Sequence, residues 1–189
     1  MHQARSQNRA RRTYQRGLTM VELMAVVVIV GILATVASVS VKKYIASSKT
    51  TEAINMIGTI KAAQESYKDE TFTYLNVSPG LNATTDFYPS NPSPGQEKMN
   101  FAGAGSGKAG FETLNVHADA PVLFVYASTA GAAGTTPTAT GSDITVTNWP
   151  SVASTKPWYI VKARADLDND GVNTVFISSS FAGEIFSAN

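Results

Sequence analysis

Three aspartates at alternate positions have the spacing that best fits a metal site in this sequence. Asp166, Asp168 and Asp170 are followed at once by Gly171, as in the first half of a calcium-binding loop, where a glycine allows the sharp turn. The second half of that loop is missing, because Ile177 stands where a bidentate glutamate is needed. Two interpretations stay open: a calcium ion held by the carboxylates, or an Asx-rich turn between two strands.

One glutamate stands at the start of the longest apolar segment. Thr19 and Glu22 have the spacing of a capping box, in which two side chains satisfy the first backbone N–H groups of a helix. Residues 23–41, which follow, contain no charged side chain. A carboxylate inside a membrane helix is disfavoured by about 2.5–3.5 kcal/mol at the bilayer centre and by less near the interface. Glu22 is therefore either a helix cap or an acidic group that needs a cationic partner.

The remaining chemistry-bearing residues do not form a recognisable active site. The chain has no cysteine, which excludes thiolate chemistry and a disulfide framework. His117 has no partner at metal-ligand spacing, and no Ser-His-Asp arrangement is evident. Residues 105–110 match the pattern GxGxxG, but they do not follow a clear strand and open no good helix. We therefore expect neither an enzyme nor a required cofactor.

The charge of the chain is concentrated at its N-terminus. Residues 1–17 carry five arginines and no acid, so the formal net charge of +1 for the whole chain leaves −4 for residues 18–189. That body has no cluster of Lys and Arg, and no specific nucleic-acid partner is predicted.

Thr19 and Glu22 lie at the start of a helix that is predicted from about Thr19 to about Thr71. Its first part is apolar on all sides, and the nineteen uncharged residues 23–41 span about 28 Å, one hydrocarbon core. Its second part is amphipathic, with apolar residues at helical spacing: Ala53, Ile57, Ile60 and Tyr67. The polar residues between them are expected to face water, among them Lys49, Glu52 and Lys61.

A β-rich region is predicted after a stretch of turns rich in proline and glycine. The strands are predicted at Val122–Tyr126, Ile144–Thr147, Trp158–Ala163, Thr174–Ile177 and Glu184–Phe186. Residues 103–110 and 128–142 are predicted to be loops. No helix-length pattern separates the strands, so we expect an antiparallel sheet with the amphipathic helix over one face. The predicted fold class is α+β: a long N-terminal helix packed on an antiparallel sheet.

The start of the helix resembles the N-terminus of type IV prepilins and of the pseudopilins of type II secretion. It reads Arg16-Gly17-Leu18-Thr19-Met20-Val21-Glu22 and continues into the uncharged helix. In that family a membrane aspartyl peptidase cuts after the glycine and methylates the new amine. The resemblance thus implies processing between Gly17 and Leu18. It also assigns Thr19 and Glu22 to assembly, since Glu22 becomes the fifth mature residue, where the family's glutamate sets the register against a neighbour's amine.

The same resemblance implies an order of segments and a set of partners. Residues 1–17 are a leader that is removed, 18–41 a membrane and assembly helix, 42–72 its amphipathic continuation, and 73–189 an exported head. The basic N-terminus is expected in the cytoplasm, with the subunit in the bacterial inner membrane before it enters a surface or periplasm-spanning filament. The implied partners are identical or homologous pilin subunits, prepilin peptidase, the inner-membrane assembly platform and the lipid bilayer.

The resemblance predicts a structural subunit of a type IV pilus-like filament that serves motility, adhesion or DNA uptake. A type II secretion pseudopilin is an alternative, since such pseudopilins use calcium in their C-terminal loop. A membrane-tethered ligand-binding module is a second, and a secretory signal peptide or a plain single-pass anchor would also begin with basic and apolar residues. Two features depart from many type IV pilins: no proline stands near Val39, and the C-terminal cysteine pair is missing.

Overall fold

The computed structural model describes residues 17–90, 97–167 and 169–188. Most of the predicted leader and the central aspartate of the predicted calcium loop, Asp168, lie outside these ranges. The chain divides into two compact units, Met1–Lys43 and Tyr44–Asn189. The first unit contributes the apolar part of a long helix. The second contains the rest of that helix and the sheet.

Helix α1 comprises Met20–Thr71 and agrees with the predicted helix to within one residue at its start. The backbone N–H of Leu23 donates to the carbonyl of Thr19 at 3.2 Å, which makes Thr19 the residue that precedes the first turn. The helix continues over 52 residues because no proline interrupts it; its first part is apolar on all sides, and the apolar residues of its second part keep a helical spacing.

Four antiparallel strands form one sheet in the order β1-β2-β3-β4. The strands are β1 Val125–Gly131, β2 Trp158–Ala165, β3 Thr174–Ser179 and β4 Ala182–Ala188. The three C-terminal strands appear where the sequence predicted them, each longer than its apolar centre. The predicted α+β class is confirmed: a long helix and an antiparallel sheet.

The two other strand predictions are wrong in part or in whole. β1 begins at Val125 and continues to Gly131, so Ser128 and Thr129 are buried strand residues although we expected a loop from residue 128. Their backbone pairs with Val161 and Ile160 of β2, and this pairing makes them part of a strand although the surrounding residues are rich in serine, alanine and glycine. Residues 144–147 form no strand; Ile144 is buried as a single side chain in the core.

A short helix, α2 Lys108–Thr113, replaces part of the glycine-rich loop predicted at residues 103–110. Gly110 makes this possible, because a Cβ there would lie 2.7 Å from a methyl carbon of Val77. The glycine therefore lets α2 pack closely against Val77. Our expectation that the GxGxxG pattern opens no helix was wrong. Phe111 of α2 is buried against the aromatic rings of Tyr88 and Phe101.

Both faces of the sheet are covered by apolar side chains. On one face α1 contributes Ala53, Met56, Ile57 and Ile60, as predicted from their spacing. On the other face the alternate residues of β2 and β3, such as Ile160 and Ile177, pack under Leu81, Phe87 and Ile144. Because every residue of β2 is buried, this strand is the centre of the core.

Polar residues of α1 that we expected to face water instead bind the rest of the second unit. The Lys49 ammonium donates to the carbonyl of Leu167 at 3.1 Å, and the Lys61 ammonium donates to Ser178 at 2.9 Å. The Glu52 carboxylate accepts the backbone N–H of Leu123 at 2.7 Å and that of Phe124 at 3.3 Å.

Gln64, fully buried, exchanges hydrogen bonds with both backbone groups of Leu75. The available sequence signal was its position, seven residues after Ile57 and four after Ile60, on the apolar stripe of the helix.

A buried ion pair holds the long connection between β1 and β2 on the sheet. Lys162 of β2 has no exposed side-chain surface; its ammonium lies 2.5 Å from the Asp143 carboxylate and donates to the Thr140 carbonyl at 2.7 Å. Asp143 is 29% exposed. Burial lowers the pKa of Lys162, and the carboxylate of Asp143 opposes that shift. In a chain without cysteine, this pair is one contact that fastens the connection.

The two partners should contribute unequally to stability. We expect Asp143→Ala to lower the free energy of unfolding by about 3 kcal/mol, because Lys162 would stay buried without a carboxylate. Lys162→Met should cost only about 1–2 kcal/mol, because the partly exposed Asp143 can be hydrated when its partner is removed. Urea unfolding of the full chain in detergent, followed by tryptophan fluorescence, measures both values. Equal costs, or the opposite order, would contradict this account.

The stability of Asp143→Ala should also depend more strongly on pH. The folded-state pKa of Lys162 lies below its unfolded value, so the folded state releases this proton first and stability rises with pH between the two values. Without the carboxylate that raises the folded-state pKa, this rise should begin at a lower pH than in the wild type.

Candidate functional site

Thr19 and Glu22 form a complete capping box at the start of α1. The Glu22 Oε2 atom accepts the backbone N–H of Thr19 at 3.0 Å and the Thr19 hydroxyl at 2.9 Å. In return, the backbone N–H of Glu22 donates to the Thr19 hydroxyl oxygen at 3.2 Å. The two side chains therefore satisfy donors of the first turn that have no partner within the helix. This geometry is the one that the helix-cap interpretation predicts.

The second carboxylate oxygen of Glu22 leaves room for the other interpretation as well. Among the described residues, Oε1 accepts no hydrogen bond, because all contacts of this side chain use Oε2. A carboxylate oxygen has lone pairs for a charge-assisted hydrogen bond to a cation outside the chain. Capping and intermolecular pairing therefore do not compete for the same oxygen.

The helix that follows Glu22 presents an apolar surface to its surroundings. The large apolar side chains from Leu18 to Val41 are 54–87% exposed where they are described. Met20–Ser38 is long and apolar enough to cross a membrane, and none of it is buried inside the described structure. A surface of this kind in water would be unfavourable, so it must be covered by lipid or by other protein.

The hydroxyl groups of this segment are satisfied by the helix itself. Thr35 donates to the carbonyl of Ile32 at 2.7 Å. Ser38 donates to Ala34 at 2.9 Å and Ser40 to Val36 at 3.2 Å, one turn back along the helix. These bonds remove the cost of placing free hydroxyl donors in an apolar environment.

Gly17, the last residue before the predicted cleavage point, has free space for a side chain among the residues that the structure describes. A Cβ added to Gly17 would meet no atom within 4 Å, and both Gly17 and Leu18 are exposed. The Gly17–Leu18 peptide bond is therefore sterically open within the described structure, as a protease substrate must be.

The predicted calcium loop is a tight turn between β2 and β3 in which the carboxylates bind backbone N–H groups. Asp166 accepts the N–H of Asn169 at 2.7 Å through Oδ1 and that of Gly171 at 3.1 Å through Oδ2. Asp170 accepts the N–H of Val172 at 2.8 Å. Asn169 and Gly171 have left-handed backbones, with φ of 65° and 83°. This is the geometry expected of the Asx-rich turn.

No group of three metal-ligating side chains occurs among the residues that the structure describes, a set that does not include Asp168. The site therefore fits calcium poorly in the part that is described, since both oxygens of Asp166 already face backbone donors. Calcium binding by Asp166, Asp168 and Asp170 stays a prediction.

Asp166→Ala tests the role of this turn. We expect the free energy of unfolding to fall by about 1–2 kcal/mol even with a chelator present, because two backbone N–H groups lose their acceptor. Thermal unfolding of the wild type tests whether calcium binds, because a bound ion raises the melting temperature as calcium is added. An unchanged wild-type melting temperature at millimolar calcium would rule out the calcium prediction.

Comparisons with known proteins place a known signature at this site. The family model of the prokaryotic N-terminal methylation motif matches residues 12–38. The chain is 36% identical over 74 residues to the fimbrial protein EcpC of Eikenella corrodens. This alignment covers 38% of this chain and 48% of that protein. It is 39% identical over 83 residues to the type II secretion system core protein G of Pseudomonas aeruginosa. That alignment covers 44% of this chain and 58% of the relative.

The chain thus spans about half the length of these relatives, and no solved structure matches it. The matched motif contains the peptide bond, the capping box and most of the exposed apolar helix described above. Residues 12–38 are therefore a prokaryotic N-terminal methylation motif of the prepilin type, which confirms the resemblance to pilins and pseudopilins found in the sequence.

Proposed function

We propose that the chain is the precursor of a structural subunit of a type IV pilus-like filament. The observation that carries this proposal is one exposed carboxylate, Glu22, at the start of an apolar helix surface that nothing in the described structure covers. The methylation motif around it supports the same conclusion. A structural role, rather than catalysis, is the part we propose for the head.

Processing would create the cation that Glu22 needs. Cleavage between Gly17 and Leu18 by prepilin peptidase converts a neutral backbone amide into an amine, which is charged at neutral pH. The same step removes the five arginines of the leader. The mature subunit would then carry one positive group and one negative group near the start of its helix, separated by four residues in sequence.

In this proposal, the subunit waits in the inner membrane with its N-terminus on the cytoplasmic side and its head exported. The arginine-rich leader favours that orientation by the positive-inside rule. The inner-membrane assembly platform would then move the helix from lipid to a bundle of identical or homologous helices, which is equally apolar.

The amine of one subunit would meet Glu22 of its neighbour and fix one axial offset among many similar apolar packings. A single buried polar pair sets register in coiled coils in the same way. Such a contact joins different surfaces of two copies. Because it does not close into a ring, it produces a helical filament. Motility, adhesion and DNA uptake are all compatible with such a filament.

A pseudopilin of type II secretion is the second candidate function. The similarity to a type II secretion core protein G favours it, as does the aspartate-rich turn if it binds calcium. A membrane-tethered ligand-binding module is the third. It would use the same helix only as an anchor, so it predicts no dependence on the Glu22 charge.

Glu22→Gln separates charge pairing from helix capping. Glutamine retains an oxygen that can close the capping box, but it removes the negative charge. We expect normal cleavage and at least a tenfold loss of filaments, since an unpaired amine in an apolar bundle costs more than 1.4 kcal/mol. Electron microscopy of sheared filaments measures assembly, and mass spectrometry of the mature N-terminus measures cleavage.

Glu112→Ala is the matched control, because Glu112 is an exposed glutamate whose ion pair with Lys108 lies in the head. It should assemble as the wild type does. Normal filaments from Glu22→Gln would mean that Glu22 acts only as a cap, and the assembly proposal would fail. Normal function without any filament would favour the tethered module.

Gly17→Val tests the processing step. The wild-type product should begin at Leu18 with a methylated amine, whereas the variant should retain its leader, because a branched side chain blocks the cut. The structure has space at Gly17, so misfolding would not explain that result. Gly58→Ala is the control, because Gly58 also has free space for a side chain but lies outside the motif; this variant should be processed normally. A wild-type product that starts at any other residue contradicts the proposal.

A further inference from the structure

A cleft of about 340 Å³ in the second unit collects side chains that filament assembly does not use. Three parts of the chain form its walls: the end of α1 with Lys68 and Tyr74, the segment 154–157 before β2, and the turn between β3 and β4 with Ser180 and Phe181. Its volume is in the range of small-ligand sites.

The walls of the cleft are fixed by backbone hydrogen bonds. Ser154 accepts the N–H of Gly134 at 2.7 Å and donates its own N–H to Thr135 at 2.9 Å. Its hydroxyl donates to the carbonyl of Lys156 at 2.8 Å. On the opposite wall, Ser180 donates its N–H to the carbonyl of Tyr159 at 3.0 Å and accepts the Tyr159 N–H through its hydroxyl oxygen at 3.1 Å. The cleft is therefore formed before any ligand arrives.

The lining of the cleft contains two cations and no acid. Lys68 and Lys156 line it, and no aspartate or glutamate does, although residues 18–189 carry a net charge of −4. Lys68 forms an ion pair with Glu65, which lies outside the lining, at 3.8 Å, and the Tyr74 hydroxyl donates to the same carboxylate at 2.9 Å. Lys68 also donates to the Tyr74 hydroxyl at 3.0 Å. This contact raises the pKa of Lys68 and holds its ammonium in place. Lys156 is exposed, and its ammonium has no partner among the described residues.

A flat apolar surface lies in the same cleft. Phe181 is 39% exposed, and the ring of Trp149 supports it edge-on at 5.0 Å. Trp158 forms part of the lining, with its indole N–H donated to Thr135. Thr155, on the wall that carries Lys156, offers an exposed hydroxyl. Cations, a ring face and a hydroxyl therefore converge on one small space.

We propose that this cleft binds an acidic sugar residue, such as a uronic acid unit of a glycan. Its carboxylate would pair with Lys156 and Lys68, the apolar face of its ring would lie on Phe181, and its hydroxyls would reach Thr155. A neutral sugar would not use the lysines, and an inorganic anion would not use the ring. A nucleic acid fits less well, because it needs a basic track along its backbone and the net-acidic body predicts none. This inference goes beyond the assembly proposal and does not depend on it.

Fluorescence titration tests the site directly, because Trp158 lines the cleft and Trp149, the other tryptophan of the chain, contacts the lining residue Phe181. Glucuronate added to the full chain in detergent, at constant ionic strength, should give a saturable change with a Kd of about 1–10 mM. Glucose and inorganic phosphate should bind at least about fivefold more weakly. Lys156→Ala should weaken glucuronate binding by about fivefold, the loss of one partly exposed ion pair.

Lys108→Ala is the control, since Lys108 is a partly exposed lysine in α2, paired with Glu112, that does not line the cleft. It should leave glucuronate binding unchanged. Lys68→Met provides a second variant that should weaken binding in the same direction as Lys156→Ala. The proposal is overturned if glucuronate gives no saturable signal, if phosphate binds equally well, or if a thymidine oligonucleotide binds more tightly than glucuronate. It is also overturned if both lysine variants bind as the wild type does.

Discussion

The first half of α1 has an apolar surface that no other part of the described chain covers, and this constraint governs the rest of the molecule. Burying such a surface is the dominant favourable term in protein association and in transfer to lipid. A chain with this helix needs lipid or other protein around it. In the proposed filament, Glu22 would select one axial offset, because apolar packing alone does not distinguish one offset from the next.

The second unit stays folded without disulfides, because the chain has no cysteine. Its sheet is covered on both faces, and polar groups of α1 are used to hold the helix against it. Glu52, Lys61 and Gln64 each join the helix to a different part of the second unit. On the outer face, Lys162 and Asp143 fasten the long connection before β2. Several separate contacts therefore replace the one covalent link that many pilins have.

Sequence reasoning succeeded where a long pattern determined the structure. Helix α1 combines an uncharged apolar run with an amphipathic continuation and has no internal proline, and the strands around Ile160 and Val175 were rich in β-branched and aromatic residues, so both were predictable. It failed where a tertiary partner decided the outcome. Ser128 and Thr129 form a strand because β2 pairs with them, and α2 forms because Gly110 lets it approach Val77.

Some features of the candidate site could likewise be predicted from the sequence, and others could not. The capping box could be predicted because Thr19 and Glu22 are three residues apart on one helix. The free oxygen of Glu22 could not, since it depends on which oxygen the first turn uses. The aspartate turn was recognised by its spacing, whereas the direction of each carboxylate was set by backbone angles at Asn169 and Gly171. The cleft joins segments that are far apart in sequence, so no local pattern revealed it.

The hydroxyls of Thr35, Ser38 and Ser40 donate to carbonyls of their own helix. None of them has to find a new acceptor when the helix exchanges one apolar environment for another. Moving the helix out of lipid, or back into it, therefore breaks no hydrogen bond of these side chains in either direction. The hydroxyl groups therefore add no penalty when the helix exchanges one apolar environment for another, whichever of the two it leaves.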